Sequence, residues 1–189
     1  MTNLDLAPHR RGTTQEIGGQ DVVLAYADVN AEYDALRGSA IVVDRSHRGR
    51  IRFFGEKSGE ALTGLVTNDV LAMHPGNGQY GAALSAKGRI VTDLRIFAAA
   101  GSYLVDAPPR AWASWLAMVK KYVNPRLSGY RDESHAIRNL GVFGPHARRI
   151  VAAVADVSVE ELGALTSYAH VDAPVDGAPI VVARSPDIG

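Results

Sequence analysis

A chain of 189 residues with 47% hydrophobic side chains has enough apolar mass for a packed core, which excludes wholesale disorder. Its 20 basic residues balance 20 acidic ones, so net charge alone draws neither nucleic acid nor an anionic membrane, and a small-molecule partner is expected instead. It contains no cysteine, which rules out disulfides, thiolate nucleophiles, thiolate zinc sites and cysteine-held iron–sulfur clusters within the chain.

The first residues, MTNLDLAPHRRGTTQE, carry no apolar signal region, and no later stretch approaches the roughly 18 apolar residues of a membrane span, so a soluble cytoplasmic protein is expected. DVVLAYADV (21–29) reads as a strand, followed by a short helix in NAEYDALRG with Asn30 as N-cap and Gly38 as the C-terminal stop. AIVVD (40–44) and GRIRFFG (49–55) read as strands around the polar RSHR, and KSGEALTGLV (57–66) as a helix burying Leu62, Leu65 and Val66. GNGQY supplies a turn, and SAKG joins two strand-like runs into a hairpin in which Gly88 takes positive φ. GSYLVDA adds a strand. PPRAWASWLAMVKKYV starts with proline, ends in lysines that suit a negative helix terminus, and places Trp112, Trp115, Leu116, Val119 and Tyr122 on one face.

The rest of the chain echoes the earlier part in outline. RIRFFG with its helix at 57–66 is matched by RNLGVFG with PHARRIVAAV (145–154), Phe54-Gly55 and Phe143-Gly144 each standing at the strand-to-helix joint. Ser158 and Glu161 fit a capping box, and PIVVARS reads as a final strand. No linker rich in Pro, Gly or Ser divides the chain, so a continuous α+β unit with largely antiparallel strands is expected.

Chemistry is sparse on this scaffold. GNGQYG and GEKSGE lack the residues and context of a phosphate-binding loop and read as turns, and no histidine spacing suits zinc, so no metal is expected. His47 lies in DRSHRG beside Asp44, which could orient its imidazole for acid/base work, but a surface histidine on a strand connection is the expected reading. Asp93 is the anomaly. Strands deplete aspartate because its carboxylate competes for backbone hydrogen bonds and resists desolvation, yet Asp93 sits in IVTDLRIF, alternating with Val91, Arg95 and Phe97. It is either a half-exposed partner of Arg95 or of a cross-strand neighbour, or a functional carboxylate.

The order EYDALRGSAIVVDRSHRGRIRFFG, LTGLVTNDV, GNGQYGAALSAKGRIVTDLRIF, YLVDAP and LGVFGPHA resembles the N-terminal folate-binding region of the aminomethyltransferase family, the glycine cleavage T-protein and its relatives, from about Glu32 to Gly189. The resemblance implies duplicated β-α subdomains with largely antiparallel sheets and exchanged strands, one spanning about 40–140 and the other about 141–189 together with the strand at 21–29. It implies tetrahydrofolate or a one-carbon derivative as cofactor, and transfer of an aminomethyl or methyl group. The implied partners are folate and a one-carbon donor, a lipoyl-carrier protein among the candidates, with neither nucleic acid nor membrane.

Carried over residue by residue, the family's acidic acid/base group beside the reduced pterin matches Asp93, its folate-packing residue matches Tyr80, and its pterin-edge polar residue, commonly asparagine, matches Asp106. An amide both donates and accepts, whereas an ionised aspartate only accepts, so this departure bears on activity. A second departure is Arg48, where the glycine cleavage enzymes carry methionine, which places a guanidinium in the wall near folate and donor. The ending RSPDIG matches the strand after which relatives place a pterin-gripping glutamate and a C-terminal barrel-like domain, so a fragment or a truncated member is expected, one that binds folate weakly and is inactive alone. The alternative within the same resemblance is a non-catalytic folate-binding accessory protein of iron–sulfur cluster maturation.

Overall fold

The computed structural model describes residues 12–186, so the last three residues of RSPDIG and the first eleven of the chain lie outside the described residues. Strands β1 (Thr13–Ile17) and β2 (Gln20–Ala25) form a hairpin turned by Gly18 and Gly19, both at positive φ. A Cβ on Gly18 would stand 2.3 Å from the Pro109 carbonyl oxygen, so only glycine lets this turn seat against the start of the later helix α3 (Pro109–Tyr122). β2 ends at Ala25, four residues before the expected end. The Glu32 carboxylate reaches back to the Tyr26 and Ala27 amides at 2.6 and 2.7 Å and removes them from any ladder. The cap of α1 (Val29–Gly38) is therefore Asp28, accepting from the Asn30 and Ala31 amides, and not Asn30.

Five strands form the central sheet in the order β5 (Gly78–Leu84), β6 (Ile90–Ala99), β7 (Ser102–Ala107), β4 (Gly49–Phe54) and β8 (Gly129–Asp132), every pairing antiparallel. Period-2 alternation gives this sheet one apolar and one polar face. Ile51, Phe53, Leu94, Ile96 and Val105 are fully buried on the first, beneath Trp115 and Val119 of α3 (Pro109–Tyr122) and Leu62 of α2 (Ser58–Thr63). α2 is shorter than expected because Gly64 caps it and Val66 leaves to bridge Ala83 on β5. Trp115 is core as expected, whereas Tyr122 at the last turn of α3 is 52% exposed, with the Lys121 ammonium 5.0 Å above its ring. Gly88 turns the β5–β6 hairpin at φ +72°.

Strand β3 (Ile41–Asp44) pairs with β9 (Leu140–Phe143), which follows it by about a hundred residues. That pairing is the exchange of strands between early and late segments that duplication implies. Both strand-to-helix joints carry the same device, Gly55 at φ +96° and Gly144 at φ +119°. A second apolar cluster of Ala155, Val157, Leu162 and Ala173 is built from α4 (Ala147–Val154), α5 (Val159–Ala164) and the hairpin β10 (His170–Val175) with β11 (Ala178–Ala183). Ser158 caps α5 through the Glu161 amide, as expected. No helix of the described residues is long and apolar enough to cross a membrane.

Candidate functional site

On the polar face of the central sheet, register brings one residue from each of four strands into line. Tyr80 on β5 lies opposite Arg95 on β6, Arg95 opposite Asp106 on β7, and Asp106 opposite Arg50 on β4. Asp93 stands two residues before Arg95 on the same face, diagonal to Tyr80, and accepts a hydrogen bond from Tyr80 Oη at 3.3 Å. The cross-strand partner anticipated for Asp93 is thus Tyr80. Tyr80 is half exposed; partial desolvation, then the Asp93 carboxylate, raise its phenol pKa and keep the proton that the bond requires.

Several devices hold Tyr80 in place. Asn68 donates to the Tyr80 carbonyl at 3.2 Å, and Thr67 Oγ1 accepts from the Ala82 amide at 3.1 Å, so residues 66–68 cover the edge of β5. A Cβ on Gly81 would meet Asn68 Oδ1 at 2.1 Å, which explains a glycine in mid-strand. Above Tyr80 stacks Tyr168, ring centroids 5.9 Å apart and planes 16° from parallel. Tyr168 adopts φ +63°, a conformation that a bulky side chain rarely takes and that surrounding structure must hold.

Further along the face the chemistry turns ionic. Asp106 is 1% exposed, and its Oδ1 accepts from Arg48 Nε at 2.5 Å and from Arg95 Nη1 at 3.2 Å. Arg50, also fully buried, donates from Nη2 to the Ser46 and Arg48 carbonyls at 2.8 and 2.9 Å, pinning the turn that carries Arg48. Burial lowers the Arg50 pKa, while Asp106 opposes that shift. Asp106 Oδ2 is buried with no partner among the described residues. An acceptor buried in an ion cluster without a partner is costly to leave unmet.

All four residues singled out from the sequence, Arg48, Tyr80, Asp93 and Asp106, therefore fall on one face. They form two pairs, Tyr80 with Asp93 and Arg48 with Asp106. Sequence reasoning did not find Tyr168, which has no periodic signature, or Arg50. Arg50 and Arg95 carried the same signal as Asp93, a charged residue within an apolar strand. His47 takes another part: Asp44 spends its carboxylate on the Ser46 amide at 2.8 Å, and His47 lines a cavity of about 30 Å³ with Trp112, Ser134 and His135. Burial, then the Arg48 charge, lower the His47 pKa against a smaller opposing pull from Asp44. Among the described residues no group of three or more His, Asp or Glu side chains could hold a metal ion.

Comparison with known proteins follows this geometry. The family described as GCVT N-terminal domain matches residues 7–186. An aminomethyltransferase of Bacillus subtilis is 30% identical over 183 residues, covering 96% of this chain and 49% of its own length. One of Streptomyces coelicolor is 29% identical, covering 97% and 49%. The chain thus spans about half the length of these curated relatives. Among solved structures, the glycine cleavage system aminomethyltransferase T of Bartonella henselae superimposes with a TM-score of 0.72 at 20% identity, over 86% of this chain and 44% of that one, and shares the fold.

Proposed function

The chain belongs to the GCVT N-terminal domain family, and from that premise we propose that the polar face of its central sheet holds a reduced folate and supports transfer of a one-carbon unit, aminomethyl or methyl, to that folate. The observation that carries the reading is the Tyr80–Asp93 hydrogen bond under the Tyr80–Tyr168 stack. It places an aromatic platform and a carboxylate within one ligand's width of each other. Tetrahydrofolate, when bound, supplies a nucleophilic ring nitrogen. Asp93 accepts the proton which that nitrogen releases, Tyr80 orients the carboxylate and packs the ring, and Asp106 with Arg48 meets the ring edge. The one-carbon donor, for which an aminomethylated lipoyl-carrier protein is the first to test, approaches from the side open to solvent.

We also propose the division into two β-α units at about residues 40–140 and 141–189. The two separate apolar clusters and the matched glycines at 55 and 144 support it. Titration calorimetry with tetrahydrofolate and its 5-formyl derivative tests the folate reading. Saturable heat is expected, and neither heat nor competition at millimolar ligand would remove the assignment.

A further inference from the structure

We propose that the tip of the β5–β6 hairpin, Leu84 to Ile90, is a docking finger for an acidic protein that presents the one-carbon group on a flexible arm; this rests on the one-carbon transfer proposed above. The finger begins at a break in register. Tyr80 pairs with Arg95 and Ala82 with Asp93, but Leu84 pairs with Ile90, so β6 accommodates one extra residue, Val91, as a bulge. Directly opposed residues share a face, and an unbroken strand would put Ile90 and Asp93 on opposite sides of the sheet. The bulge turns Ile90 over. It joins Leu84, Tyr80 and Asp93 on the polar face, one pleat repeat, roughly 7 Å, beyond Asp93.

Ile90 is 73% exposed, more than any other large hydrophobic residue described, and a Cβ on Gly88 would meet no atom within 4 Å. The turn is nevertheless fixed. The Ser85 amide donates to the Arg89 carbonyl at 2.8 Å, the Gly88 amide to the Ser85 carbonyl at 2.9 Å, and the Arg89 amide to Ser85 Oγ at 3.2 Å. An apolar side chain thus stands in water on a preorganised turn, which lowers the ordering cost of binding. Lys87 and Arg89 are the charged residues between Leu84 and Thr92; both are exposed, and neither side chain has an ion-pair partner among the described residues. Shape and sign then give the partner's chemistry. A small ligand needs a concave site, whereas this tip is convex and is complementary to a groove on a macromolecule. The two cations favour an acidic groove and speed encounter, and Ile90 fills its centre. Two cations and one apolar side chain are too little for stable attachment to a membrane. A protein seated here stands beside the open side of Asp93, within reach of an arm that carries the group to be transferred.

The test titrates a lipoyl-carrier protein into the isotope-labelled whole chain and follows its amide resonances, with affinities measured by calorimetry. Saturable shifts are expected, largest at residues 84–90. The double variant Lys87→Glu/Arg89→Glu and the single variant Ile90→Ser should each weaken carrier binding about tenfold or more, and the salt dependence seen in wild type should vanish in the charge-reversed variant. All these positions are exposed, so melting should be unchanged. Shifts confined to another surface, equal carrier affinity in the variants, or no carrier binding by wild type would overturn the inference. Attachment of the tip to phosphatidylserine vesicles without carrier binding would overturn it in favour of a membrane. Tetrahydrofolate titrated into the same proteins should bind all of them alike, so the two readings fail separately: carrier bound at the tip with no tetrahydrofolate binding would keep the docking surface and remove the folate reading.

Discussion

Asp93 is half buried on β6 and accepts with one oxygen from Tyr80 Oη, so one substitution separates a structural from a chemical role. As a mere surface partner, Asp93→Asn would change stability by about 0 to 1 kcal/mol and leave turnover alone. As the proton acceptor it would lose on the order of 10²-fold in turnover, with the melting temperature held or raised, because shape is preserved while the base is gone. The assay, run on the longer protein that the resemblance implies because this chain is expected to be inactive alone, is methylene-tetrahydrofolate formation from an aminomethylated lipoyl-carrier protein, with folding followed by thermal melts; unchanged turnover in a folded variant would end the acid/base role. The misfit of Asp93 was legible in the sequence because aspartate violates the chemistry of its strand. The Arg48–Asp106 contact was not, since it joins residues 58 apart and exists only once the β4–β7 register is set.

Among the elements, the two strand-to-helix joints look alike in sequence but differ in cost. A Cβ on Gly144 would lie 2.6 Å from the Ser39 carbonyl oxygen and 2.9 Å from Ala40 Cα, at φ +119°, whereas at Gly55 the nearest atom is 3.8 Å away at φ +96°. Gly55→Ala should therefore cost about 1 kcal/mol from backbone strain alone, and Gly144→Ala on the order of 3 kcal/mol because strain and a backbone clash add. Urea unfolding of both variants checks the ranking, and equal losses would contradict it. Asp28→Ala should cost about 1 kcal/mol by uncapping α1, and Asn30→Ala much less. Asp28 and Asn30 are both good caps by residue type. The choice between them was illegible because it turns on Glu32 folding back to the Tyr26 and Ala27 amides. Alternation made most strands readable, while Tyr122 escaped its predicted face because the last turn of α3 leaves half its ring in solvent.

Taken as a whole, the molecule ties its late hairpin to the central sheet through His170. Its amide donates to the Gly76 carbonyl at 2.9 Å, and its ring stands edge-on to Phe97 with centroids 5.7 Å apart. Burial lowers the His170 pKa, with Asp172 and the Ala98 backbone pulling the other way. A folded-state pKa below the unfolded one means that, as pH falls, the unfolded chain takes up the proton first. The stabilisation is complete above the ordinary histidine pKa and is lost as pH drops through it toward the folded value. Melting temperature should therefore fall between about pH 7.5 and pH 5.5, and His170→Phe, which keeps the ring contact, should flatten that slope; an unaltered slope would contradict the assignment. The antiparallel α+β architecture and the echoed β-α units could be read from periodicity and the repeated Phe-Gly joints. Tyr168 could not, because its place over Tyr80 depends on how the β10–β11 hairpin docks and on a backbone conformation that no residue pattern announces. The central claim, that a reduced folate lies against the Tyr80–Asp93 face, meets its most direct test in parallel calorimetric titrations of tetrahydrofolate into wild type and Tyr80→Ala. Tyr80 is half exposed, so its truncation should leave melting nearly unchanged while weakening binding about tenfold or more; equal affinity in the two folded proteins would contradict the account.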